Sequence, residues 1–419
     1  MPGADMPNEV AQQRFSRIPY IHDAVVRTRS SLFGLDDVIR LSLVAYFSRG
    51  HVLLEGNPGC GKTTLIKTLC ASLDFDVDSA FGRIQFTPDL MPADITGTQM
   101  PVDGLGGALE FRPGPVFCNL LLADEINRAT PKTQSAMLEA MAETQVTVLG
   151  ETHDLAAPRM GLGWQGKTFD AKPPFMVLAT QNPIDQEGTY DLPEAQSDRF
   201  MFKIRMPDLP RNIVSKIMDK TQAIDWRREL EEQPHSPQEE DLERAEHREG
   251  EMKALYHLAR VETELAKVKL NPVVETHILN MVEASNGPLA LSKSSGLGKG
   301  ETEQLNRFVE RYIRYGLGPR AAQAFSAGVR AWAYLFTTSD GETQEAAMLK
   351  VALAVLRHRL ILGFDWAELA AEEYGAALTS LPPADRSDAL LSTFIALTAP
   401  NQAGYRDLMS RMDPAPLNR

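Results

Sequence analysis

HVLLEGNPGCGKTTLIKTLCASL, residues 51–73, decides the reading of this chain. An apolar run ends in a glycine-rich turn, and a helical pattern follows at once. Gly56, Gly61, Lys62 and Thr63 stand at the spacing G-x-x-x-x-G-K-[ST], with the strand before and the helix after that this motif requires. Leu65, Leu69 and Leu73 recur at i, i+4 and i+8, one face of that helix. Gly56, Gly59 and Gly61 let the backbone curl and aim its N–H groups inward. Those donors and the helix N-terminus make a concave anion site. The loop as a whole, Gly56, Asn57, Pro58, Gly59, Cys60, Gly61, Lys62, Thr63 and Thr64, is therefore the expected nucleotide-binding segment. Lys62 is a mobile cation for the β- and γ-phosphates, and the Thr63 hydroxyl is a ligand for Mg²⁺. Cys60 sits near a helix N-terminus, where a thiol pKa can fall. A redox-sensitive thiol and a small side chain that simply fits are both open there, and the second is preferred.

Working outward, further short apolar runs follow: GRIQFT (82–87), NLLLADE (119–125), FMVLAT (175–180) and FMFKIRM (200–206). Runs this short and apolar read as strands buried on both faces. Helical patterns between them imply a parallel sheet with crossover helices. QVTVLGETHDL, from residue 145, reads as a β-hairpin. Two Gly/Pro-rich stretches, 97–115 and 156–174, interrupt the alternation.

NLLLADE ends in Asp124 and Glu125. Asp124 at a strand tip can hold Mg²⁺ or a water of its shell, and Glu125 can orient and deprotonate an attacking water. Phosphoryl transfer needs this pairing. Together with the phosphate loop it points to an Mg-dependent ATPase that uses water as the acceptor.

Composition is consistent with this. The chain has 419 residues, 43% hydrophobic and 24% charged, enough for two or three domains. Its formal charge of −13 gives no general attraction to nucleic acid or anionic lipid. Three scattered cysteines and eight histidines show no disulfide or zinc spacing. The start, MPGADMPNEVAQQRF, lacks the pattern of a signal peptide. No apolar run is long enough to span a membrane. A cytoplasmic protein is expected.

Beyond the phosphate loop, several stretches resemble one family closely: RIQFTPDLMPADITG, FRPGPVFCNLLLADEINRATPKTQSAMLEAMAETQVTV, VLATQNPIDQEGTYDLPEAQSDRF and VLRHRLIL. They are similar to the MoxR group of AAA+ ATPases, in the clade with an insert in the second helix. The resemblance implies an αβα P-loop NTPase sandwich with a five-stranded parallel sheet, order 5-1-4-3-2, followed by a helical lid. It implies that Asn182 is the first sensor, bridging the γ-phosphate and the attacking water. Arg199 is implied as an arginine finger serving the neighbouring subunit, and Arg320 as the second sensor. Here the chain departs from the family's usual Gly-Ala-Ser-Pro-Arg, reading Gly316-Leu317-Gly318-Pro319-Arg320. Phe33 and Gly34 in LFGLDD match the segment that contacts adenine. Residues 97–116 would be the second-helix insert, and the hairpin near 145–153 the insert before the first sensor, facing the pore or the client.

The expected domains are an N-terminal helical segment (1–30), the ATPase core (31–207), a helical lid (208–360) with charged or loop-like inserts at 227–252 and 285–303, and a helical extension (361–419). The stretch 227–252 reads as a solvated helix or flexible insert. By resemblance the protein forms a ring, usually a hexamer. It would remodel or mature a client, often by metal or cofactor insertion, with a partner bearing a von Willebrand factor A domain. The rivals are a chelatase motor subunit, a nucleic-acid remodelling ATPase and a scaffold that binds ATP without turnover.

Overall fold

The computed structural model describes residues 15–56, 60–101, 109–182, 190, 192–208, 210–215, 237–287, 295–336, 343–402 and 404–412. The chain forms two compact units. One takes the chain through residue 192 together with 204–264. The other takes 193–203 and everything from residue 265 onward.

The first unit is built on a five-stranded sheet. Its strands are β1 (Val52–Glu55), β2 (Phe81–Gln85), β3 (Leu120–Asp124), β4 (Met176–Gln181) and β5 (Phe202–Arg205), and they lie in the order 5-1-4-3-2. β1 pairs parallel with β4 (Val52↔Leu178), β4 with β3 (Met176↔Leu120), and β2 with β3 (Phe81↔Leu120). Leu120, Leu121, Leu122, Ala123, Val177, Leu178 and Ala179 are fully buried, because a parallel sheet is covered on both faces. Helices α1 (Pro19–Ser31) and α2 (Asp36–Phe47) precede β1, and α3 (Lys62–Ser72) follows it. Helix α3 packs on α1 and on β3 with Leu65, Ile66 and Leu69 fully buried. Helix α4 (Pro131–Glu143) follows β3.

Three antiparallel hairpins decorate this unit. The first pairs Gly97–Pro101 with Leu109–Pro113 and occupies the stretch expected to be a helix-2 insert. Gly97, at φ +92°, leaves no room for a side chain: a Cβ there would meet the Arg112 carbonyl oxygen at 2.2 Å. The second pairs Gln145–Val148 with Glu151–Asp154, as the sequence led us to expect. Leu149 and Gly150 at its tip both have positive φ, the geometry of a two-residue type I′ turn. The third pairs Arg159–Trp164 with Lys167–Ala171 and occupies the Gly/Pro-rich stretch 156–174. Its tip, Gln165-Gly166, repeats the same turn. The first two hairpins pack together, with the rings of Phe111 and His153 stacked at 3.9 Å.

Helix α5 (Pro237–Leu265) covers most of the charged stretch that was read as an insert of the lid. Beyond residue 252 the helix is held to the first unit. Lys253 pairs with Asp74 at 2.9 Å, Arg49 with Glu262, and the His257 ring stacks on Tyr20 at 4.2 Å. Its residues 245–249 are exposed, so part of the stretch is a solvated helix after all.

The second unit is helical: α6 (Pro272–Ser285), α7 (Lys299–Tyr312), α8 (Pro319–Phe336), α9 (Gln344–Leu356), α10 (Trp366–Tyr374), α11 (Pro383–Thr398) and α12 (Tyr405–Ser410). Its core holds Phe325, Trp332, Val351, Phe394 and Ile395, all fully buried. Helix α11, from the C-terminal extension, packs against α6, α7 and α9, so the extension completes this core. His277 stitches α6 to it. Its Nε2–H donates to the Ile395 carbonyl at 2.9 Å, and Nδ1 accepts from the Tyr405 hydroxyl at 2.7 Å. Burial lowers the His277 pKa to about 4, and this bonding fits the neutral ring.

Candidate active site

β1 delivers the chain to Gly56, whose Cα lies against Met206 just after β5; a Cβ there would approach the Met206 Cβ to 2.7 Å. Asn57, Pro58 and Gly59 lie outside the described residues. The chain re-emerges at Cys60 and turns into α3 through Gly61, which is left-handed at φ +84°. Lys62 folds back so that Nζ donates to the Gly56 carbonyl at 2.6 Å. Leu32 packs against Gly61, its Cδ2 3.7 Å from where a Cβ would stand, so the LFG turn carrying Phe33 and Gly34 abuts this loop. Burial raises the Cys60 thiol pKa, a pull that outweighs the nearby Lys62 cation.

Gly61, Lys62, Thr63, Thr64, Asp124, Glu125 and Asn182 line one cavity of about 350 Å³. Two strand tips and one helix N-terminus thus bring together the residues that the sequence picked out from three separate stretches. Arg199 and Arg320 belong to the second unit.

The acid pair is held by residues that sequence reasoning missed. Thr180, fully buried on β4, donates its hydroxyl to Asp124 Oδ1 at 2.7 Å and accepts from the Glu125 backbone N–H at 2.8 Å. Glu125 is left-handed, φ +57°, a strained conformation for a long side chain. Its carboxylate is aimed from β2 and from the following turn: Gln85 Nε2 donates to Oε2 at 3.1 Å, and Arg128 Nε lies 3.2 Å away. Arg83 pairs with Asp124 Oδ2 at 2.9 Å and donates to Gln85 Oε1 at 3.1 Å. The β2–β3 register, Gln85↔Asp124, makes this network. Its signal in the sequence is the alternation in GRIQF, where Arg83 and Gln85 share one face and buried Ile84 takes the other. Half-exposed Arg83 holds Asp124 weakly, a pair of this kind contributing about 0–1 kcal/mol.

A hydroxyl and a carboxylate beside a phosphate loop are the hard oxygen donors that Mg²⁺ prefers, with nucleotide phosphates and water completing the shell. Among the described residues no cluster of three or more Asp, Glu, His or Cys forms a metal site without such help. The donor set therefore fits a nucleotide-borne Mg²⁺.

The family model for the "ATPase family associated with various cellular activities (AAA)" matches residues 51–165 and 161–202. Chaperone MoxR1 of Mycobacterium tuberculosis is 32% identical over 368 residues, 87% of this chain and 81% of that protein. The chain belongs to the MoxR-type AAA ATPases. Membership makes it an ATP hydrolase. The uncharacterized protein YeaC of Bacillus subtilis is 48% identical over 188 residues, 45% of this chain, which spans 52% of YeaC's length. The crystal structure of a protein described as an ATPase from Cytophaga hutchinsonii superposes with a TM-score of 0.62 at 32% identity, covering 85% of this chain and 90% of that one. No helix among the described residues is long and apolar enough to cross a membrane.

Proposed function

We propose that this MoxR-type ATPase is a ring-forming chaperone that spends MgATP hydrolysis on remodelling or maturing a client protein in the cytoplasm. The observation that carries the reading is the single cavity joining Lys62, Thr63, Asp124, Glu125 and Asn182. The relative MoxR1 is named a chaperone, which supports the biological half.

The chain's residues divide the chemistry. Lys62 exchanges the Gly56 carbonyl for the β- and γ-phosphate oxygens. Thr63 and Asp124 would hold Mg²⁺, which when bound neutralises charge on those oxygens. Thr180 keeps Asp124 turned to that task. Glu125 orients the water and takes its proton, and Asn182 donates an amide N–H to the γ-phosphate or that water. Phe33 and Gly34 are assigned to adenine. Arg320 is assigned to the phosphates within its own subunit and Arg199 to those of the neighbour, which makes an oligomer the working form, by resemblance a ring and usually a hexamer. The hairpins 97–113 and 145–154 are assigned to the client; Leu149, 77% exposed at a hairpin tip, suits such contact. A von Willebrand factor A domain protein is the proposed partner.

The test is a trap. Glu125→Gln, expressed in the native cell and captured with ATP bound, should retain a metalloenzyme or a von Willebrand-type protein. Recovery of a chelatase subunit or nucleic acid in its place would overturn the chaperone role.

A further inference from the structure

The motif VLRHR, residues 355–359, has no part in the site described so far. Within the second unit it clamps the short segment 193–203, which carries Arg199. The Arg359 side chain is only 4% exposed. Its Nε donates to Asp198 Oδ1 at 2.7 Å, and its Nη1 donates to the Met201 carbonyl at 2.9 Å. Its Nη2 donates to the carbonyls of Asp198 at 3.1 Å and Phe200 at 2.5 Å. Neutral His358, held so by burial, donates from Nε2 to the same Phe200 carbonyl at 2.9 Å. Arg199 therefore stands between two residues that Arg359 anchors.

The second oxygen of Asp198 faces Arg320 Nη1 at 3.6 Å, with the Arg320 side chain 53% exposed. These two ion pairs differ in kind. The Arg359 pair is buried on the arginine side and reinforced by carbonyls, so it persists. The Arg320 pair is long, solvated and screened, so it exchanges readily. A triphosphate offers Arg320 more negative charge than one carboxylate does.

We propose that Asp198 is a positioning residue that couples the two arginines. Arg320 exchanges between Asp198 and bound phosphate. The carboxylate it leaves behind then re-aims the turn that presents Arg199. The nucleotide state of one subunit thereby sets the finger offered to the next. This rests on the reading of Arg199 as a finger acting in trans and of Arg320 as a phosphate-sensing group.

Asp198→Asn keeps the shape and still accepts from Arg359, but removes the charge. Its turnover should fall about tenfold or more, the scale of a misplaced catalytic group. In a Glu125→Gln background, calorimetry should find ATP bound as tightly as before or more so, since Arg320 is no longer held. Mixing Asp198→Asn with Glu125→Gln subunits should restore turnover, because the latter supply an intact Arg199 turn. Arg199→Ala mixed the same way is the reference. Wild-type turnover by Asp198→Asn, or a loss that mixing does not repair while the Arg199→Ala loss is repaired, overturns the proposal. If Arg199→Ala is itself not repaired, the finger reading falls and takes the proposal with it. If the asparagine variant does not fold, Asp198→Glu, which keeps the charge but displaces the turn, tests the turn alone: its turnover should fall and mixing with Glu125→Gln subunits should restore it, while wild-type turnover overturns the proposal.

Discussion

Thr180 shows what a single side chain settles here. One buried hydroxyl fixes both the metal-facing carboxylate of Asp124 and the left-handed backbone of Glu125. Thr180→Val keeps the shape but leaves a buried N–H unpaired, a cost of about 1–3 kcal/mol. Turnover should drop by roughly tenfold or more, while Thr180→Ser, which restores the hydroxyl, should stay within about threefold of wild type. Steady-state kinetics of the pair decides it, and equal activity in both variants would remove Thr180 from the site. Lys62→Ala should abolish nucleotide binding by calorimetry; unchanged affinity would refute the phosphate-loop assignment. At this scale the sequence was informative where chemistry needs contiguous residues. The loop 56–64 and the pair Asp124-Glu125 could be read directly. Thr180, Arg83, Gln85 and Arg128 could not, because their partners come from the register between strands and from a turn's geometry.

Elements divide by how much apolar surface they bury. The five sheet strands lay within a residue or two of the apolar runs; in β1, β3 and β4 burial on both faces leaves an unbroken hydrophobic signature, while the edge strands β2 and β5 alternate. The hairpin at 145–154 was legible as alternating strands around a turn. Those at 97–113 and 159–171 expose most of their residues, so no alternation of apolar and polar marks them. Helix α5 was half legible: its charged residues 245–249 are solvated, but Lys253, His257 and Glu262 bind the first unit through polar pairs that periodicity does not report. The C-terminal helix α11, read only as part of a helical extension, belongs to the core of the second unit. Phe394→Ala should therefore cost about 3–5 kcal/mol. Urea unfolding monitored on the tryptophans checks this, and a loss under about 1 kcal/mol would mean the helix is dispensable.

Across the whole molecule, stability should depend on pH through buried neutral histidines. His51, in the first unit, and His277, in the second, both have pKa values lowered to about 4 by burial. Once unfolded, each regains a pKa near about 6.5 and binds a proton that the folded state refuses. Stability is therefore full above pH about 6.5 and falls as pH drops toward about 4, by on the order of 2 kcal/mol per histidine at pH 5. Thermal melts at pH 7 and pH 5 should show the loss, and His277→Gln should shrink the difference. An unchanged difference would mean that His277 is not the titrating group.

The most direct test of the central claim, that Glu125 in this cavity drives hydrolysis of bound ATP, is to measure ATP affinity and turnover side by side in wild type and Glu125→Gln. Affinity should be unchanged, with turnover reduced by about a hundredfold or more. Turnover near wild type, or loss of binding together with turnover, would contradict it.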